Sequence, residues 1–375
     1  MKTHKPYSLV ALAACLLFAH SSCKKDKATT TSTTTTSTST TATPTSLGLY
    51  ETDSSIYKLL FIAVPKIGTQ TVNQYLIFDT GSGGMVIDAH EILPASMITS
   101  SGFNFTGDST VVDGITITNQ TETIEYGADA STTEKVYGNL AYASVTVGDH
   151  GSTITVKRLP FFLYYKGVDN KGNAESTGTF DIFGVNSEYD VTFANGGYIT
   201  SPFSYFDPGT GLTKGFKMAA LGTSNFSLAG TYVPDVLTLG LTSTDVGSSS
   251  GFTMHDLTAI DNYGYAVVIP CGFTYGSKSV SSAYTIFDTG TEPYTYLEDP
   301  TAAKDTAQLA SGTVVSLTTT NSFNYDYTVS NSENLTYVES TKYSGSDVSI
   351  ISLEYFLNNE YLLDFTNHKL GLKNN

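Results

Sequence analysis

A chain of 375 residues with 40% hydrophobic content is long enough for two globular lobes, each with its own core. Its formal charge of −16, with Arg158 as the sole arginine and no basic cluster after Lys27, excludes a nucleic-acid surface, because phosphate neutralisation needs clustered Lys and Arg. Three cysteines, two of them within the first 23 residues, exclude a disulfide framework, so a large core must supply the stability and Cys271 reads as a small buried hydrophobe.

The chain begins with an export signal. Lys2 and Lys5 form a basic start, and Tyr7 to Ala19 is an apolar run too short to span a bilayer. Ser21-Ser22-Cys23 follows, then Lys24-Lys25-Asp26-Lys27. Small residues before a cysteine and polar ones after it resemble a bacterial lipoprotein cleavage site, which would leave Cys23 as the lipidated first residue. Leu12-Ala13-Ala14-Cys15 offers a second such site with a shorter apolar run. Residues 1–22 are expected to be removed, and 23–47, almost all Thr and Ser after Lys27, to form a disordered tether at the outer membrane or cell surface, the periplasmic side included.

From about residue 50 the pattern becomes short apolar or alternating runs separated by Gly, Asn and Asp. Strands are predicted at Tyr57–Val64, Gln74–Phe78, Val111–Thr118, Ala141–Val147 and Ile154–Tyr165. Short helices are predicted at Ser201–Phe206, Phe216–Leu221, Pro300–Leu309 and Leu353–Asn358. The composition, rich in Gly, Thr, Ser and Tyr, agrees with a mainly β chain. No prosegment pattern stands between the tether and the first strand, so activation by removal of a long prosegment is not expected.

One pentapeptide occurs twice. Ile77-Phe78-Asp79-Thr80-Gly81 returns as Ile286-Phe287-Asp288-Thr289-Gly290, each copy after a strand-like run, the first followed by Ser82 and the second by Thr291. The spacing is too long for a solenoid repeat and suggests two related lobes, 48–245 and 246–375. In each copy a buried strand delivers an Asp at its end, and a glycine allows close backbone approach. Two such loops face to face would bring two carboxylates together. Like charges raise one pKa, so the pair holds one shared proton. The ionised member can take a proton from water, and the protonated member can give one to a carbonyl oxygen. Peptide hydrolysis by direct water attack needs these parts and no metal or other cofactor.

At this point the sequence resembles the pepsin-like aspartic protease family, in a bacterial lipoprotein form, over most of residues 57–375. The stretch "IGTQTVNQYLIFDTGSGGMVI" resembles that family's first catalytic loop with its flanking strands, and "IEYG" its flap, with Tyr126 at the tip and Gly127 after it. "VYGNLAYASVTVGD" resembles the return of the flap, and "FDIFGVN" supplies a hydrophobic-hydrophobic-Gly element at Ile182-Phe183-Gly184. "IFDTGTEPYTYL" resembles the partner loop, and "IISLEYFLNNEYLLDFTNHKLGL" the closing segment. The resemblance implies an all-β bilobal fold with a few short helices and a central cleft. It implies Asp79 and Asp288 as the catalytic dyad. Gly81 and Gly290 would turn N–H groups toward them, and Thr80 and Thr289 would cross-bond beneath. Ser82 and Thr291 would bond the outer carboxylate oxygens, and Tyr126 and Gly127 would cover an extended peptide substrate. Two departures stand out: Val86 replaces the family's usual Trp near the flap, and Ser352 replaces the second lobe's Gly.

Other chemistries have weaker support. His90, His150, His255 and His368 are scattered without ligand spacing, and no Gly-x-Ser-x-Gly elbow or phosphate-binding Gly-Lys-Ser/Thr loop occurs. Tyr294 and Tyr296 could line a cleft, although a structural role is the preferred reading for most of the tyrosines. The expectation is therefore an exported, lipid-anchored, monomeric aspartic endopeptidase. The rival is a non-catalytic peptide- or protein-binding module on the same fold.

Overall fold

The computed structural model describes residues 42–53, 57–127, 133–223, 225–303 and 306–375. The export signal, Cys15, Cys23 and nearly all of the tether lie outside the described residues. The first strand starts at Thr45 and runs to Asp53, so the folded part begins inside the segment assigned to the tether. Leu47 and Leu49 explain this: both are fully buried, and they anchor the strand between Lys58–Ile67 and Thr231–Leu241.

Two large sheets carry the described chain. A 14-stranded sheet holds most of the first half, and an 8-stranded sheet holds much of the second. In the first, Lys58–Ile67 turns at Gly68 (φ 61°) into Gln70–Asp79, which buries Leu76 and Phe78 on alternate positions before delivering Asp79 at its end. The chain then reverses into Gly83–Asp88, all six residues of which are buried. Strand Ile182–Val185 threads between these two, parallel to Gln70–Asp79 and antiparallel to Gly83–Asp88, so that Gly184 lies opposite both Asp79 and Gly84. Only glycine fits at 184, because a Cβ there would sit 2.7 Å from Ser82 O and Oγ.

The second half repeats this topology. Lys278–Phe287 delivers Asp288, Tyr294–Glu298 follows, and Val348–Ile351 threads between them, parallel to the first and antiparallel to the second. Ser352 follows the threading strand, where the resemblance placed Gly. It is fully buried at an ordinary extended backbone (φ −71°), and its N–H and Oγ both meet Thr295 Oγ1, at 3.1 and 3.3 Å. The hydroxyl is thus satisfied, which is why a side chain is tolerated there.

The boundary at 245/246 divides the chain but not the large sheet. Asn359–Asp364 enters that sheet by pairing with Thr213–Met218, and Lys369–Asn374 pairs in turn with Asn359–Asp364. Phe216, expected in a helix over Phe216–Leu221, therefore sits in a strand, packed against Phe78, Phe203 and Tyr361. The strand pairs on both edges, with Thr231–Leu241 and Asn359–Asp364, and buries Phe216 and Met218 while Lys214 stays exposed. The predicted helix Pro300–Leu309 is likewise a turn followed by strand Thr306–Gln308. Val111–Thr118 is not one strand but a hairpin, Ser109–Val112 and Ile115–Tyr126, turned by Asp113 and Gly114 at φ 48° and 79°. The other two predicted helices appear as single 3₁₀ segments, Pro202–Tyr205 and Leu353–Leu357. Cys271 is free and buried, and burial pushes its thiol up to about 12. Among the described residues no helix is long and apolar enough to cross a membrane.

Candidate active site

The two Asp-Thr-Gly loops meet. Thr80 and Thr289 are fully buried beneath them and bond crosswise: each backbone N–H donates to the other's Oγ1 at 3.0 Å. Each Oγ1 then donates across to the opposite strand, Thr80 to Phe287 O and Thr289 to Phe78 O, both at 2.8 Å. A threonine suits this position because one hydroxyl donates and accepts at once while its methyl fills the core. Residues 209 positions apart are locked in register by four bonds.

The carboxylates stand directly above. Asp79 Oδ1 accepts from Gly81 N–H at 2.7 Å and, at 3.3 Å, from Ser82 N–H, and its Oδ2 accepts from Ser82 Oγ at 2.5 Å. Asp288 repeats the pattern with Gly290 N–H at 2.7 Å and Thr291 Oγ1 at 2.5 Å. Gly81 and Gly290 also clear the space between the loops. A Cβ on Gly81 would lie 2.5–2.7 Å from the Asp288 carboxylate atoms, and one on Gly290 would lie 2.9 Å from Asp79 Cγ and Oδ1. The two carboxyl groups hydrogen-bond each other, and Asp288 is held well above the usual carboxylate range by burial first and then by Asp79. One proton is therefore retained by the pair. Asp79 has one donor more than Asp288, the Ser82 N–H at 3.3 Å.

Above the dyad lies a cleft of about 1060 Å³, lined from both halves of the chain. Its first wall carries the paired strands Ile115–Tyr126 and Glu134–Val147; residues 128–132 lie outside the described residues. Gly127, at the edge of the described hairpin, has φ 127°. Tyr126 faces the cleft and stacks on Phe180, with ring centroids 6.0 Å apart and planes at 11°. Phe180 is held in turn by Tyr164, and Val86 lies fully buried in the same apolar cluster. The support that the missing Trp would supply thus comes from Phe180, through a side chain distant in sequence. The Tyr126 hydroxyl is buried without a hydrogen-bond partner. Burial, then Asp190 and Asp79, raise its pKa.

Several cleft residues escaped the sequence reading. Asn186 donates from Nδ2 to Gly81 O at 2.9 Å and so braces the first loop, although its signal was present as the last residue of "FDIFGVN". Asp190 and Glu292 line the cleft with buried, unpartnered carboxyl oxygens. Burial pushes both carboxyls up to about 8, helped by Asp79 and Glu188 at Asp190 and by Glu354, against Lys58, at Glu292. No spacing rule connects them to the Asp-Thr-Gly loops. Tyr294 and Tyr296 do line the cleft, packed with Tyr337, whereas Tyr164 belongs to the core. Among the described residues no group of three or more His, Cys, Asp or Glu could hold a metal ion.

No protein-family model matches the sequence. No curated protein matches it either. Solved structures do match the fold. An aspartic proteinase from Irpex lacteus aligns with a TM-score of 0.56 at 18% identity, covering 88% of this chain and 97% of that one. Basic 7S globulin from soybean aligns at 0.54 and 12% identity, covering 88% of this chain and 96% of that one. At such identities the likeness concerns architecture alone. This chain has the mostly β, bilobal, cleft-bearing fold of the pepsin-like proteins.

Proposed function

We propose that the chain is an aspartic endopeptidase in which Asp79 and Asp288 activate water between them. One observation carries this reading: the crosswise threonine bonds hold two carboxyl groups in mutual hydrogen-bonding contact, with one retained proton, at the floor of an open cleft. In the proposed reaction an extended peptide lies across the cleft beneath Tyr126. Ionised Asp79 takes a proton from water as the oxygen attacks the scissile carbonyl carbon, and Asp288 gives its proton to the carbonyl oxygen. Collapse of the tetrahedral diol returns one proton to Asp288, while the proton on Asp79 passes to the departing amine, so the pair ends with the single proton it began with. The N–H groups of Gly81 and Gly290 keep both carboxyls fixed, so the site does not reorganise during the step.

The fold does not decide for catalysis by itself, since its solved neighbours include a globulin as well as a proteinase. The site supports it, because both loops retain the full set of groups that proton sharing requires. A peptide-library digest between about pH 3 and 7 tests the reading, given the ordinary carboxylate range as its lower bound. Cleavage is expected from the unaltered chain. Asp79→Asn and Asp288→Asn should each lose it while keeping the circular dichroism and melting temperature of the parent. Undiminished cleavage by either variant would remove the mechanism. A statine-type peptide, whose hydroxyl stands in for the attacking water, should inhibit. As part of the same reading, lipid on Cys23 holds the monomeric enzyme at a membrane surface after export.

A further inference from the structure

We propose that Asp190 is a specificity-determining residue that receives a lysine or arginine side chain of the bound peptide. The inference rests on the peptide reading of the cleft given above, and adds a substrate class to it.

Among the described residues the cleft wall holds carboxyl groups from both halves of the chain and no lysine, arginine or histidine. The nearby cations are already paired: Lys58 with Glu354, and Lys135 with Glu125, itself on the cleft wall. Acidity alone would be a solvated surface. Asp190 differs in having a carboxyl that is withdrawn from solvent and incompletely bonded. Gly83 N–H donates to the group, yet Oδ2 is buried with no partner at all. The Tyr126 hydroxyl, within electrostatic reach of Asp190, is also buried and unpartnered. Two orphaned polar atoms in one wall of a substrate cleft leave bonding capacity that a ligand can satisfy. The carboxylate supplies the charge and the phenol a second acceptor.

A metal ion does not fit, since no group of three candidate ligands is present among the described residues. An aliphatic substrate side chain would leave both atoms orphaned. An ammonium or guanidinium group on a flexible stem satisfies both, and the apolar stem can lie along the adjoining tyrosines, Tyr126 and Tyr189. The groups that face Asp190 are Asp79, Glu188 and Tyr126, none of them cationic. Burial and these acids push its carboxyl up to about 8, so the unliganded site is protonated at neutral pH and a bound cation releases that proton. The chain's charge of −16 also draws cationic peptides toward it over a longer range.

The test uses the whole folded protein and peptides with an uncleavable statine unit at the scissile position. A single lysine is walked through the positions on either side, with norleucine at the same place as reference, and binding is read by fluorescence anisotropy. One position is expected to favour lysine over norleucine by about tenfold or more, as for a charge-assisted bond at a desolvated site. Asp190→Asn keeps the size and can still accept from Gly83, so it should fold. It should erase that preference, bringing the lysine peptide down to the affinity of its norleucine counterpart, and should abolish proton release on binding near pH 6.5. A lysine preference of less than about twofold at every position, or one that survives Asp190→Asn, overturns the proposal. Because the readout is binding, a chain that prefers lysine but cleaves nothing would refute the proteolytic reading and leave this one standing.

Discussion

The tightest geometric claim about the dyad concerns Gly81, and its replacement by alanine gives the sharpest quantitative test. The backbone at Gly81 does not adopt a positive φ, so alanine brings no conformational strain of its own. Its methyl would instead meet Asp288 Cγ at 2.5 Å and the two carboxyl oxygens at 2.6 and 2.7 Å, where ordinary contact begins at 3.4 Å. The carboxyl must therefore retreat by about 0.9 Å, or the loop must open by as much. A displacement near 1 Å in a reacting group costs on the order of 100-fold in rate. At Gly290 the corresponding contacts with Asp79 are 2.9 Å, a deficit of only about 0.5 Å. Rates should therefore fall steeply in Gly81→Ala, by about 100-fold in kcat/KM, and several-fold less in Gly290→Ala. Peptide kinetics, with melting temperature recorded alongside, read both. The loss should appear in kcat with little change in KM, since the methyl disturbs the reacting groups and not the distal cleft. An unchanged rate in Gly81→Ala, or a larger loss in Gly290→Ala, would refute the idea that close loop approach sets the dyad geometry.

Other consequences are equally direct. Thr80→Val strands the buried Phe287 carbonyl and Thr289 N–H and should cost about 2–6 kcal/mol in urea unfolding, whereas Thr80→Ser keeps both bonds and should cost about 1 kcal/mol for the lost methyl. Stability should be greatest near pH 4. Asp181, Asp190 and Glu292 are raised to about 8 and Glu298 to about 7, so the folded chain keeps protons that the unfolded chain releases, and stability falls as pH rises from about 4 to 8. Below about pH 4 the sign reverses, because Asp245, whose burial is outweighed by Lys217 and Thr242, and Asp299, whose burial is outweighed by Tyr275 and Thr301, must gain protons against depressed pKa values. Melting curves from pH 2 to 9 would expose a flat or inverted profile. Labelled palmitate should enter the unaltered chain in a bacterial host and not Cys23→Ser, and labelling of both would exclude Cys23 as the anchor.

The dyad was legible because it is encoded locally and twice. Asp79 and Asp288 each end an apolar strand and each precede Thr-Gly, so strand, turn and chemistry share one short window. The contacts that complete the site lie across the fold, and no window contains them. Phe180 supports Tyr126 from 54 positions away, and Asp190 reaches the cleft only because Ile182–Val185 threads behind Asp79. Phe216 misled for a related reason. A helix is expected there from the sequence, yet Thr213–Met218 lies in mid-sheet between Thr231–Leu241 and Asn359–Asp364, a partner that enters from the far end of the chain. The Asp113-Gly114 hairpin, by contrast, carried its turn signal in plain view, inside the stretch Val111–Thr118 predicted as one strand.

The two halves share a topology but not a chemistry, and the difference has a direction. Gly184 must be bare because the first threading strand passes hard against Ser82, while Ser352 can keep a hydroxyl because Thr295 Oγ1 donates to it. The first loop is therefore the more tightly braced. It also receives the Asn186 side chain at Gly81 O and gives its own Ser82 N–H to Asp79. Donors aimed at a carboxylate favour its ionised form, and burial among other acids favours the neutral one. The extra bracing falls on Asp79, while burial and the Asp79 charge raise Asp288, which suits the proposed roles of a base on one lobe and an acid on the other. A symmetric frame of crosswise threonines fixes the distance between the carboxyls. The unequal surroundings of the two loops accord with the proposed starting point, in which Asp288 carries the proton.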